Sequence, residues 1–185
     1  MVRLRNGLMP FALGLLLGAG VAAGQDCNPD QLAARFTPNE DGTVTDGTTG
    51  LTWKRCSEGQ SWDGTTCTGD AARYDWREAM ALDPQSGEGG WRLPTLDELA
   101  SITDKACSPA VDPGAFRATP VGIFWSSATD ANNADYPWCL HLRDGHASKA
   151  HKGRGGHVRL VRVDPDSPKN DGRAAPRPHQ PESGD

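Results

Sequence analysis

β-Prone residues flank a polar turn between positions 43 and 53, and this pattern predicts an antiparallel hairpin. The two β-prone runs are 43–45 and 51–53, and the Asp-Gly-Thr-Thr-Gly between them has the composition of a turn. Further along, the Ile-Phe-Trp run that begins at position 123 favours a buried strand, and residues 138–143 alternate with period two. We therefore expect β-structure near both ends of the folded part of the chain.

Two helices are predicted where a capping residue precedes apolar residues at helical spacing. Pro94 disfavours helical backbone angles at the residue before it, so the second helix begins with Thr95 as its N-cap. Glu98 can bond back to the Thr95 amide, which is the reciprocal pair of a capping box, and Asp75 with Glu78 repeats this spacing. The apolar faces comprise Trp76, Ala79 and Met80 in the first helix and Leu96, Leu99 and Ile102 in the second.

The end of the domain is predicted to be a strand meander. Asp144 and Gly145 give a turn signal, and a two-residue turn there places Arg143 opposite His146. The chain then runs back antiparallel, and residues 158–163 close the sheet. Two early helices and a late antiparallel sheet predict an α+β domain.

The first 24 residues have the pattern of a signal peptide. Arg3 and Arg5 precede an apolar stretch, 8–23, that ends in small residues. The stretch is short and broken by proline and glycines, so we expect no membrane span after cleavage, and no lipid-anchor pattern precedes Cys27. Cleavage removes two of the 19 basic residues and none of the 24 acidic ones, so the exported chain carries a net charge of −7.

Length and composition then divide the chain into three parts. The signal peptide covers 1–24, and residues 26–163 have the length of one domain with a substantial core. Residues 164–185 hold five prolines and few large apolar side chains. Such a segment cannot offset the entropy of folding, so we predict a disordered polar tail.

The five cysteines suit an oxidising compartment, either the periplasm or the exterior. Cys56 and Cys67 flank a short loop and are expected to close it as a disulfide. Cys107 pairs with either Cys139 or Cys27, and the sequence leaves that choice open. We place the predicted bridges at Cys56, Cys67, Cys107 and Cys139. An odd count leaves one cysteine free or intermolecular.

Several short motifs, in this order along the chain, resemble one known family. They are Gly42-Thr43-Val44-Thr45-Asp46, Thr49-Gly50-Leu51-Thr52-Trp53, Trp91-Arg92-Leu93-Pro94-Thr95 with Glu98-Leu99, Phe124-Trp125-Ser126-Ser127 and Val158-Arg159-Leu160-Val161-Arg162. The chain resembles, over about 36–163, the domain found at the C-terminus of the collagen-like adhesin Lcl. The resemblance implies a C-type-lectin-like fold and surface binding, with no catalytic residues to transfer. This chain has no collagen repeats, so no oligomeric state is implied.

The candidate binding residues lie mainly near the C-terminal end of the domain. Residues 141–162 contain six basic residues and one acidic residue, which gives a local charge of +5. A basic surface on an acidic protein can hold sulfate, carboxylate or phosphate groups by charge-assisted hydrogen bonds, although ordinary solvated strands would show the same residues. The candidates are Arg143, Lys149, Lys152, Arg154 and Arg159.

Trp62 is the candidate for stacking against a sugar ring. It lies in the loop between Cys56 and Cys67, and we expect it to be exposed. The tryptophans assigned to strands, and therefore to the core, are Trp53, Trp91, Trp125 and Trp138.

The sequence offers candidate ligands for two metal sites, but neither site is predicted. The four late histidines, which could bind zinc or copper, match no tight ligand spacing. The polar stretch 130–135 could offer oxygen ligands to calcium, but its composition is also that of an ordinary loop. The residues concerned are His141, His146, His151 and His157 for zinc and Asp130, Asn132, Asn133 and Asp135 for calcium. No cofactor is expected.

These observations predict an exported binding module that contacts an anionic glycan or another envelope polymer through its late strands. Nucleic acid is disfavoured because export and an acidic total charge argue against that partner. An envelope structural or assembly protein is one alternative. A hydrolase or other enzyme on a lectin-like fold is another, although no nucleophile elbow or metalloprotease signature is present.

Overall fold

The computed structural model describes residues 27–82 and 90–163. The predicted signal peptide, 1–24, and the predicted polar tail, 164–185, lie outside the described residues. Within the described part, no helix is long and apolar enough to cross a membrane.

Three short helices and nine short strands make up the described fold. The helices are α1 (Pro29–Ala34), α2 (Trp76–Ala81) and α3 (Leu96–Ser101). The strands are β1 (Phe36–Pro38), β2 (Thr43–Asp46), β3 (Leu51–Lys54), β4 (Ser61–Trp62), β5 (Cys67–Thr68), β6 (Ile123–Trp125), β7 (Trp138–His141), β8 (His146–Lys149) and β9 (Val161–Val163). The predicted α+β class is confirmed, and α1 is an element that the sequence patterns did not predict.

The predicted first hairpin is present and forms the centre of a four-stranded antiparallel sheet in the order β1-β2-β3-β9. Val44 pairs with Trp53, which pairs with Val161, and all three side chains are fully buried on one face. Because side chains alternate along a strand, Thr52, paired with Arg162, and Lys54 lie on the opposite face. The sheet therefore has one core face and one polar, cationic face.

Both predicted capping boxes are confirmed, at the starts of α2 and α3. At α3, the Glu98 amide donates to Thr95 Oγ1 and the Thr95 amide donates to Glu98 Oε2, at 3.2 and 2.8 Å. Just upstream, Arg92 exchanges backbone hydrogen bonds with Val161, so the chain before α3 continues the first sheet beyond β9. This extended segment places Trp91 beside the sheet's polar face.

The late strands form a separate three-stranded sheet, β6-β7-β8, so β9 closes the first sheet and not this one. The β7–β8 hairpin pairs His141 with His146, so its loop has four residues and not the predicted two. The predicted pairing of Arg143 with His146 is wrong because Leu142 leaves the strand and is buried, 1 % exposed, in the core. The register moves by two residues, so each side chain keeps its predicted face.

Two disulfides brace the described domain, Cys56–Cys67 as predicted and Cys27–Cys107. The assignment of Cys139 to a bridge is wrong. Cys139 lies in β7 inside the core, with no exposed surface and its Sγ 3.3 Å from Ser148 Oγ. Burial raises the pKa of this thiol. A side chain in this position is not accessible for an intermolecular disulfide.

Candidate binding site

The predicted basic surface is not assembled as one cluster. Lys149 Nζ binds Asp130 Oδ2 at 2.8 Å and lies 4.7 Å from the centre of the Trp138 ring. Lys152 forms an ion pair with Asp135. These two lysines are therefore already neutralised by neighbouring carboxylates from the loop before β7, which reduces what they can offer to an anionic ligand.

Arg143 and Arg154 are both exposed, and Arg143 lies apart from the lysines. Arg143 lies in the loop at one end of the β7–β8 hairpin, where it borders an apolar groove with Pro109 and Val121. Lys149 ends β8 at the opposite end of the same hairpin. Arg143 and Lys149 therefore lie at opposite ends of this hairpin and do not form one surface.

Arg159 was predicted to face a ligand, and this prediction is wrong because the residue is fully buried. Its guanidinium lies 4.9 Å from the Phe116 ring centre, donates to the backbone carbonyls of Lys54 and Arg55, and also reaches Thr119 Oγ1. Burial lowers the pKa of Arg159 to about 9, which still leaves the group protonated at neutral pH. Arg159 therefore links β3 to the segment near Phe116 through hydrogen bonds inside the core.

Trp62 was predicted to be exposed, but its side chain is only partly exposed. The Arg55 guanidinium carbon lies 4.2 Å from the Trp62 ring centre. Gly42 also lies against Trp62, so closely that a Cβ added at position 42 would fall 2.7 Å from Trp62 Cγ. Trp62 pairs with Cys67 in the β4–β5 ribbon, and the Cys56–Cys67 disulfide ties that ribbon to the end of β3. These contacts fix the indole at the edge of the first sheet.

Trp62 and Trp91 border a shallow cavity of about 270 Å³, which we call the tryptophan cleft. Its lining includes Asp41, Gly42, Lys54, Trp62, Trp91 and Arg162. The two cations come from β3 and β9 and project from the polar face of the first sheet. The cleft therefore combines aromatic surface, positive charge and one carboxylate, which are the groups that bind polar ligands with a partly apolar body.

The two cations of the cleft differ in how they are balanced. Both lie on Trp91, with Lys54 Nζ 5.6 Å and the Arg162 guanidinium carbon 4.7 Å from its ring centre. Lys54 binds Glu58 Oε1 at 2.9 Å. Across residues 27–82 and 90–163, Arg162 has no carboxylate within ion-pairing distance, and its buried Nε has no acceptor. Arg162 is therefore the cation in the cleft that remains available to an anion.

Among the described residues, no three His, Cys, Asp or Glu side chains come close enough together to hold a metal ion. Of the candidate calcium ligands, Asp130 and Asp135 each form an ion pair with a lysine. Of the four late histidines, His141 pairs with His146 across the hairpin, while His157 is buried and its Nδ1 donates to Ala72 O at 3.0 Å.

His157 is expected to make the fold less stable in mild acid. Burial lowers the pKa of His157 below its ordinary value of 6.5; the bond to Ala72 opposes this shift and nearby Arg73 adds to it. The unfolded chain therefore binds the proton more readily, so stability falls as the pH drops below about 6.5. Urea midpoints between pH 8 and 5 should fall less in His157→Asn than in wild type. If the urea midpoint falls by the same amount with pH in both proteins, this prediction is wrong. The control is His146→Asn, because His146 is exposed.

The described fold is that of a small α+β domain braced by two disulfides, with an aromatic cleft at the polar face of its first sheet. The chain belongs to the Lcl C-terminal domain family, whose model matches residues 42–162. The match runs from Gly42 to Arg162, so it includes nearly all of the cleft lining. A search of curated proteins found no match.

Sequence patterns missed most of the tryptophan cleft. Trp91 was assigned to the core, and Lys54 and Asp41 were not singled out. Arg162 was counted in the basic segment but not chosen. The signal that was available is the alternation along 51–54 and 161–163, which places Lys54 and Arg162 on one face once those two strands are paired.

Proposed function

We propose that this chain is an exported binding module of C-type-lectin-like fold that contacts an anionic glycan or envelope polymer at the tryptophan cleft. The observation that carries the proposal is Arg162. It is the cleft cation with no carboxylate partner in the described part of the chain, and it lies against Trp91 in a cavity that Trp62 also borders. An anionic group on a sugar would supply the carboxylate or similar partner that the described residues do not give Arg162.

The aromatic surface of the cleft favours a sugar over a simple ion. A tryptophan ring can cover the apolar face of a pyranose while neighbouring polar side chains bond its hydroxyls. The cleft volume of about 270 Å³ is near the lower end for small-molecule sites, which run from about 300 Å³ upward. We therefore expect one sugar residue of a chain to enter the cleft, while its neighbours remain outside.

The charge of the exported chain sets how selective this binding is. With a net charge of −7, the protein repels polyanions from most of its surface. Arg143 and Arg154, both exposed, contribute attraction that is screened beyond about 8–10 Å at moderate salt. The cleft thus supplies the specific contact, and the scattered cations supply weaker, salt-dependent attraction.

Export to the periplasm or the exterior is part of the proposal. The two disulfides support it, because such bonds persist in oxidising compartments and are rare in the cytosol. The test is secretion from a host cell with the first 24 residues present or deleted. A chain that remains inside the cell with those residues intact would contradict this part of the proposal.

The test of the binding site uses polygalacturonate, alginate, heparin and neutral dextran, each immobilised, with the full exported chain. Arg162→Gln should weaken binding to the polymers retained by wild type by about 10- to 100-fold, because a hydrogen bond between charged groups contributes about 1.5–3 kcal/mol. Arg154→Gln makes the same change of charge at an exposed position and should change binding less than threefold. Circular dichroism and thermal melting check that both variants fold.

Three results would count against the cleft. Failure of the wild type to bind any acidic polymer would reject glycan binding. Equal losses in Arg162→Gln and Arg154→Gln would show that general charge, and not the cleft, drives retention. If Arg162→Gln is retained on the polymers as strongly as wild type, the binding site lies outside the cleft.

A further inference from the structure

We propose that the tryptophan cleft recognises a sugar residue that carries one carboxylate beside free hydroxyls, as a uronic acid does, and discriminates against sulfate-rich polymers. This inference rests on the proposed glycan-binding function and narrows the class of ligand. It follows from the carboxylate that the cleft contains in addition to its cations, which is Asp41.

Asp41 is held in a fixed orientation by one of its two oxygens. Oδ1 accepts hydrogen bonds from the Thr43 amide at 3.0 Å and from Thr43 Oγ1 at 2.6 Å. Within the ranges that the structure describes, Oδ2 has no hydrogen-bond partner. An ionised carboxylate only accepts hydrogen bonds, so this exposed oxygen can accept one from a ligand donor such as a sugar hydroxyl.

The charges around the cleft leave room for one additional negative charge. Lys54 is already balanced by Glu58 at 2.9 Å, and Asp41 adds a negative charge to the same cavity as Arg162. A single ligand carboxylate can bind Arg162 by paired, charge-assisted hydrogen bonds. A residue bearing several sulfates would place further negative charge against Asp41, and the described lining of the cleft offers no second cation without an ion-pair partner to offset it.

Together these groups define a pattern of recognition. Arg162 selects a carboxylate, Asp41 selects a hydroxyl, and the exposed parts of Trp62 border the space where the ring would lie. A site that bonds a ligand hydroxyl rejects the analogue that lacks it more strongly than an apolar pocket rejects a missing methylene. Each of the two polar contacts can therefore be tested separately.

The experiment compares three trisaccharides by isothermal titration calorimetry at low salt: trigalacturonic acid, its trimethyl ester and a galactose trisaccharide with two sulfates on each residue. Wild type should bind trigalacturonic acid at least tenfold more tightly than the other two. In Asp41→Asn, the preference for the uronate over the sulfated sugar should fall about tenfold, because repulsion of the additional sulfate is removed while the amide oxygen can still accept from Thr43.

Asp63→Asn is the matched control. Asp63 also accepts backbone hydrogen bonds in a turn, from Thr65 and Thr66 at 2.8 Å, and it is exposed next to Trp62 in sequence but does not line the cleft. It should leave the preference unchanged. Equal wild-type affinity for the uronate and the sulfated sugar, with both lost in Arg162→Gln, would overturn this inference and leave the proposed function standing. Absence of binding to every acidic sugar would overturn both.

Discussion

Replacing Arg159 with methionine is expected to lower the free energy of unfolding by about 3 kcal/mol. The guanidinium donates to the Lys54 carbonyl at 2.9 Å, to the Arg55 carbonyl, and to Thr119 Oγ1 at 3.0 Å, all in a region with no exposed Arg159 surface. Methionine would remove the cost of burying a charge, but it would leave these acceptors without a donor at about 1–3 kcal/mol each. The lost hydrogen bonds outweigh the relieved desolvation.

Urea denaturation at neutral pH measures this effect, and Arg154→Met is the control. Arg154 is exposed, so the same replacement there should change stability by less than about 0.5 kcal/mol. A similar small change in both variants would mean that the buried hydrogen bonds of Arg159 contribute no net stability.

Removing the Cys27–Cys107 disulfide is expected to destabilise the domain by about 4.5 kcal/mol, and removing Cys56–Cys67 by about 3 kcal/mol. The sequence separations are 80 and 11, and a bond that closes the longer loop restricts the unfolded chain more. The comparison uses Cys27→Ser/Cys107→Ser and Cys56→Ser/Cys67→Ser, each measured by urea denaturation. A larger loss for the shorter loop would contradict the loop-entropy argument and indicate that native contacts around the ribbon dominate.

The two bridges should also differ in their effect on binding. Cys56 lines the tryptophan cleft, and Cys67 pairs directly with Trp62. Loss of this bridge should weaken glycan binding under conditions where the domain remains folded, whereas loss of Cys27–Cys107 should affect binding only through unfolding.

Local sequence signals predicted the elements that depend on neighbouring residues. Thr95 and Glu98 define a capping box whatever the rest of the fold does, and the polar turn 47–50 joins two strands that are adjacent in sequence. The β7–β8 turn was mispredicted because burial of Leu142, a tertiary effect, outweighed the local turn signal of Asp144 and Gly145.

The remaining errors concern contacts between distant parts of the chain. Arg159 was chosen because it lies in the basic segment 141–162, but Phe116 and Thr119 from another segment cover it. The choice of partner for Cys107 depended on where Cys27 lies in the fold, which no spacing rule specifies. The cleft likewise exists only because β3 pairs with β9 and brings Lys54 towards Arg162.

The Cys56–Cys67 disulfide, which holds the β4–β5 ribbon, makes the geometry of the cleft depend on whether the cysteines have been oxidised. In a newly made chain whose thiols are still reduced, nothing covalent would hold the indole of Trp62 at the rim of the cleft. Such a chain should bind the proposed glycan more weakly than the oxidised chain, and should reach full affinity only after the disulfide forms. Formation of the Cys56–Cys67 bond would then also be the step that completes the proposed binding site.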